Sequence, residues 1–124
     1  MAVRDVAEGL VERCRRGDFM GAIDRYYDDD VVSVESVGSP EYPAEQRGLD
    51  EVRAKNERWS ESNEVHAVEV QGPYVGDDGF TVRYTFDLTN KPSGQRMQMT
   101  EMALYQVKDD KIVREHFFYN VPGQ

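Results

Sequence analysis

The chain has 124 residues, of which 39% are hydrophobic, 10% aromatic and 31% charged. That suits one domain with a real core, and it excludes a disordered tail, a collagen-like fibre and a membrane span. Fifteen Lys and Arg scattered among 24 Asp and Glu give a net charge of -9, so neither nucleic acid nor a membrane is an expected partner.

The N-terminal Met1-Ala2-Val3-Arg4-Asp5 lacks the apolar stretch of a signal peptide, which reads as a cytoplasmic protein. No repeat or Pro/Gly/Ser-rich linker divides the sequence, so residues 1–124 read as a single domain. Apolar side chains at 3, 6, 7, 10, 11 and 14 predict an amphipathic helix over residues 3–16, stopped by Gly17. Cys14 lies on that stripe and reads as a core thiol, because no neighbouring base or exposure marks it as a nucleophile. Asp18 can cap a second helix whose core face is Phe19, Ala22, Ile23 and Tyr26, and Asp28, Asp29 and Asp30 suit its end badly enough to mark termination.

Residues 31–37 predict a strand, followed by a loop through Pro40 and Pro43 to Gly48. Leu49, Val52 and Trp59 then space out a third helix to about Ser60, with Asp50 and Glu51 in its first turn. Four long strands follow, over 64–75, 80–90, 95–108 and 111–120, separated by Gly76-Asp77-Asp78-Gly79, Lys91-Pro92-Ser93-Gly94 and Asp109-Asp110. Connections this short predict an antiparallel meander, and Gly72-Pro73 predicts a bulge within its first strand.

Alternation says which side chains share a face. Phe80, Val82, Tyr84, Phe86 and Leu88 form the buried face of their strand. A four-residue loop at 91–94 then sets Leu88 opposite Met97, Phe86 opposite Met99 and Tyr84 opposite Glu101, which puts Glu101 on an apolar face. In the last strand a plain two-residue turn would turn Ile112, Arg114, His116 and Phe118 inward. A bulged turn would select Val113, Glu115, Phe117 and Tyr119, and that more apolar set is preferred.

The order of elements, with Asp29-Asp30-Val31-Val32-Ser33-Val34-Glu35, Gly48-Leu49-Asp50-Glu51-Val52, Glu101 to Val107 and the closing Asp110 to Tyr119, resembles the SnoaL-like branch of the nuclear transport factor 2-like superfamily. The resemblance implies an α+β fold: a cone-shaped curved antiparallel sheet enclosing an apolar pocket with three N-terminal helices, commonly a homodimer through the outer sheet face. Its enzymes, ketosteroid isomerases, polyketide cyclases and dehydratases among them, work without a metal. The isomerases pair an Asp base with Tyr and protonated Asp donors. That set is not matched residue by residue here; Tyr26 or Tyr27 compares with the helix tyrosine, and the strand carboxylate is Glu101. The usual Asp-Gly turn is replaced by Asp109-Asp110.

Glu101 and Glu115 inside a dry cone are too costly to leave charged and unpaired, so they either bond to partners or titrate high. Two readings stay open: acid-base chemistry, or a structural carboxylate network. Lys55, between Val52 and Trp59, can counter a buried carboxylate, hold an acidic ligand, or reach water. His66 alternates with Val68 and Val70, which makes it a candidate general base or a hydrogen-bonded rim residue. Glu35 reads as a rim carboxylate. Tyr27, Trp59, Tyr84, Phe86, Met97, Met99, Phe117 and Tyr119 either line a cavity for a small, mainly apolar organic molecule or simply pack the core.

The two histidines lack metal-ligand spacing, and phosphate loops, nucleophile elbows and Cys-x-x-Cys pairs are missing, so no metal and no cofactor is expected. The chemistry that remains is proton transfer beside a carbonyl, as in isomerisation, aldol cyclisation or dehydration, with a glutamate or His66 moving the proton. The rival is a non-catalytic ligand-binding or dimerisation module. On the outer face Met102, Leu104, His116 and Phe118 suit a homodimer interface.

Overall fold

The computed structural model describes residues 2–120. Helix α1 spans Val3–Arg15 and buries Val6, Ala7, Leu10, Val11 and Cys14, the side chains of the predicted stripe. Gly17, at φ +77°, turns the chain, and the Asp18 carboxylate accepts the Gly21 N–H at 3.0 Å to start α2, Phe19–Tyr26. Strand β1, Tyr27–Val34, begins directly at the helix end, earlier than the expected start at 31. The three aspartates that end the helix open the strand, where Asp29 and Asp30 stay in solvent and Asp28 accepts the Asp30 N–H at 2.9 Å. A short strand without sequence signal follows, β2, Glu45–Arg47. Gly48, at φ +91°, leads into α3, Leu49–Ser62, of which only Val52 is fully buried.

The meander is β3, Asn63–Val75; β4, Gly79–Asn90; β5, Gln95–Lys108; and β6, Lys111–Phe118. The six strands form one curved, unclosed sheet in the order β2-β1-β6-β5-β4-β3. Its one departure from the expected antiparallel sheet is β1, which pairs in parallel with β6. Alternation reports the face a side chain takes, not the direction of the neighbouring strand, and the rest of the meander serves as the crossover that parallel pairing requires. The helices lie on the inner side: α1 packs on β3 and β4, and α3 spans β1 and β3. The Arg15 guanidinium donates to the carbonyls of Val70 at 3.0 Å and Gly72 at 3.3 Å, which fastens the end of α1 to β3.

The register of β4 against β5 is the predicted one: Leu88 opposite Met97, Phe86 opposite Met99, Tyr84 opposite Glu101. The expected irregularity at Gly72-Pro73 is present between Gln71 and Tyr74. In the last hairpin both features weighed at the sequence level occur together. Asp109 and Asp110 hold φ of 51° and 66°, the left-handed pair of a two-residue hairpin turn, and a bulge comes after the turn. Ile112 is therefore buried opposite Val107, Val113 is the extra residue, and from there Glu115 and Phe117 face inward opposite Tyr105 and Ala103. Val113 in the predicted inward set is corrected to Ile112.

Candidate functional site: a carboxylate-bearing cavity under the helices

The cavity lies where β1 and β6 run side by side beneath α3. Their parallel register sets Ser33 beside Glu115, and the antiparallel pairing on the other side of β6 sets Tyr105 opposite it. Glu115 is 2% exposed. Its Oε2 accepts from Ser33 Oγ at 2.6 Å and its Oε1 accepts from the Tyr27 hydroxyl. From α3, Lys55 donates to Ser33 Oγ and, at 2.8 Å, to Glu35 Oε2, with Glu115 Oε2 3.8 Å away. Tyr119 completes the set by donating to Glu35 Oε1 at 3.1 Å. Burial raises the titration of Glu115, opposed by the Lys55 ammonium and by the Ser33 and Tyr27 donors. Burial, followed by the Glu35 charge, moves the Tyr119 hydroxyl up to about 12.

Glu101 differs from these two carboxylates. Among the described residues it has no side-chain hydrogen bond and no ion pair. Burial first, then the charges of Glu35 and Glu115, raise its pKa from 4.5 to about 8, against the pull of Lys55. Tyr84 is directly across the strand pair, and its hydroxyl lies 2.8 Å from that of Tyr105, with Cys14 Sγ at 3.7 Å. Burial raises the titration of both phenols and moves the Cys14 thiol up to about 12, so all three groups keep their protons at neutral pH.

The inner space is about 130 Å³, lined by Cys14, Tyr27, Glu35, Lys55, Tyr84, Glu101, Tyr105 and Glu115 together with apolar side chains such as Leu10, Ile23 and Phe117. Trp59 and Phe86 form an aromatic wall with ring centres 5.2 Å apart, and Lys55 Nζ sits 5.1 Å from the centre of the Phe117 ring. The volume is close to the ~150 Å³ that accepts a benzene-sized guest in a dry engineered cavity. A wider vestibule of about 460 Å³ shares Glu35, Lys55 and Trp59 with the inner space.

Of the residues singled out in the sequence, Tyr27, Glu35, Lys55, Trp59, Tyr84, Phe86, Glu101, Glu115 and Phe117 converge on this cavity. His66 does not, and its expected place is corrected. It is the extra residue of a bulge between Val65 and Ala67, so the alternation with Val68 and Val70 slips by one, and its ring is exposed with Nε2 2.7 Å from Thr89 Oγ1. Met97 and Met99 are on the inner face but pack half-buried against the core and do not line the cavity. Tyr119 reaches the site only through Glu35. The sequence reading left out Ser33, Tyr105 and Cys14 as site groups. The first two had a signal, since Ser33 alternates with Glu35 and Tyr105 follows Glu101 on the same face with only Ala103 between them.

The SnoaL-like domain family matches residues 1–119. The chain belongs to that family. No curated protein matches it. Among solved structures, this SnoaL-like domain is similar to a Mesorhizobium loti protein assigned as a SnoaL-like polyketide cyclase, with carbohydrate phosphatase as a second designation. The two are 39% identical over 96% of this chain and 100% of that one, with a TM-score of 0.91. A Xanthomonas campestris protein of unknown function with a cystatin-like fold is 17% identical over 100% and 95% of the two chains, with a TM-score of 0.79. A Catenulispora acidiphila protein with a ketosteroid isomerase-like fold, in complex with trimethylamine, is 17% identical over 81% and 74%, with a TM-score of 0.67. The last two likenesses show the fold alone, a cystatin-like or ketosteroid isomerase-like α+β arrangement, and nothing about chemistry.

Proposed function

We propose that this SnoaL-like domain binds a small, mainly apolar carbonyl compound in the inner cavity and moves a proton beside the carbonyl without a cofactor, as an isomerase, cyclase or dehydratase does. The observation that carries the reading is Glu101, a carboxyl without a partner of its own in an aromatic-walled cavity, titrating at about 8. Such a group is a stronger base than an ordinary carboxylate and still gives its proton back near neutrality. Ionised Glu101 takes the proton from the carbon next to the carbonyl, and the C–H electron pair moves into an enolate. The oxygen of the enolate accepts a hydrogen bond, and protonated Glu101 returns the proton to another carbon.

The Cys14, Tyr84 and Tyr105 cluster supplies the donor. Cys14, Tyr84 and Tyr105 carry three protons and share two contacts, so one proton remains for a group in the cavity. Glu115 and Lys55 hold the site in shape, since every oxygen of Glu115 already has a donor.

The test is deuterium uptake in D2O next to the carbonyl of cyclohexanone and other small cyclic ketones, followed by proton NMR. The wild type should exceed the buffer rate and Glu101→Gln should fall to it with the fold intact. A folded wild type that binds these ketones and exchanges none of them contradicts the proposal. The second reading, a non-catalytic ligand-binding module, is favoured by the completeness of the Glu115 network, and that result would select it.

We also propose assembly as a homodimer through the outer sheet face. Phe118, Met102 and Leu104 are 46%, 43% and 38% exposed there, and the His116 ring stacks on Phe118 with centres 4.2 Å apart.

A further inference from the structure

The vestibule outside the cavity carries an arginine without an ion-pair partner among the described residues. Arg58, on the turn of α3 after Lys55, lays its guanidinium over the Tyr42 ring, 3.8 Å from the ring centre. Among the described residues no carboxylate lies within 4.0 Å of it; Arg15, Arg25, Arg83 and Arg114 are likewise without an acid, but of these five only Arg58 lines the vestibule.

Its support is built. The segment between β1 and β2 closes on itself through Ser39 N–H to the Tyr42 carbonyl at 2.8 Å, Tyr42 N–H to Ser39 Oγ at 3.0 Å and Gln46 Nε2 to the Pro43 carbonyl at 2.6 Å. These bonds hold the Tyr42 backbone in place as a shelf. A guanidinium stacked by its face keeps its N–H edges free, and those edges match the two oxygens of a carboxylate. The other vestibule cation, Lys55, is already taken by Glu35 and Ser33.

We propose that the molecule this site takes is an organic acid: an apolar body in the inner cavity and a carboxylate held in the vestibule by Arg58 against Tyr42. This rests on the reading above that the cavity takes a small apolar ligand, and it adds the polar end of that ligand. Trp59 is the only tryptophan of the chain and lines both compartments, so its fluorescence reports either occupant. Glu61 lines the vestibule as well and repels an incoming anion.

The experiment titrates the full chain with two matched pairs, phenylacetate against phenethyl alcohol and hydrocinnamate against hydrocinnamyl alcohol. At least one acid should bind about tenfold tighter than its alcohol, the scale of one charge-assisted bidentate pair. Arg58→Gln should bring that ratio to about one, with a far-UV circular dichroism spectrum like the wild type's showing that the variant is folded. Arg58→Lys should keep part of the preference, and Glu61→Gln should increase it. Alcohols that bind as tightly as their acids, or a ratio that survives Arg58→Gln, overturn the assignment of Arg58 and leave the cavity reading standing. Binding of none of the four overturns both.

Discussion

Lys55 Nζ lies 2.8 Å from Glu35 Oε2, and that pairing commits the ammonium to the residue just past β1, so Glu101 titrates without a counter-ion of its own. The consequence for stability has a definite sign. Below pH 4.5 Glu101 is protonated in folded and unfolded chains alike and its contribution is fully present. Between 4.5 and about 8 the unfolded chain ionises while the folded one resists, so stability drains away as pH rises and the loss is complete above about 8. Glu101→Gln has no such loss. Chemical denaturation from pH 4 to 9 should show the variant gaining on the wild type by roughly a few kcal/mol across that window. A difference independent of pH contradicts the raised titration of this unpartnered carboxyl.

Removing Glu115 should have the opposite effect on stability. Its carboxylate is the shared acceptor of Tyr27 and Ser33 and lies 3.8 Å from Lys55, so Glu115→Ala strands two hydroxyls and costs about 3 kcal/mol at neutral pH. Glu115→Gln keeps acceptor capacity and should cost less. Urea denaturation of both variants measures this, and equal, small effects would mean that the network contributes little to the fold.

The proposed homodimer is tested on its apolar centre. Leu104 lies opposite His116 on the outer face, and Met102 opposite Phe118. Leu104→Glu in two facing copies brings like charges together in desolvated surroundings, and sedimentation should turn from dimer to monomer with the helical circular dichroism unchanged. A wild type that sediments as a monomer at high protein concentration removes the proposal.

Much of this architecture was legible because local rules agreed with one another. The α1 stripe, the Asp18 cap and the four-residue turn at 91–94 each have a short-range cause, and the turn alone was enough to align Glu101 with Tyr84. What was missed depends on long-range pairing or on a shift of one residue. Nothing in Tyr27–Val34 announces that its neighbour is β6 running the same way, so the Ser33-Glu115 bond is invisible before the sheet is assembled. One inserted residue at His66 moves a candidate base to the surface, and another at Val113 puts Ile112 rather than Val113 on the inner face, while Glu115 faces inward as the preferred bulged turn predicts. Arg58 carried no signal either, because its meaning depends on a Tyr42 ring brought to it by an irregular loop.

The proposed proton transfer depends most directly on the titration of one carboxyl group. With carbon-13 in the glutamate side chains, the Glu101 carboxyl resonance, assigned by its absence in Glu101→Gln, should move with a midpoint near pH 8. A midpoint in the ordinary range between pH 4 and 5 would mean a solvated or paired carboxylate, and the proposed proton transfer would lose its base.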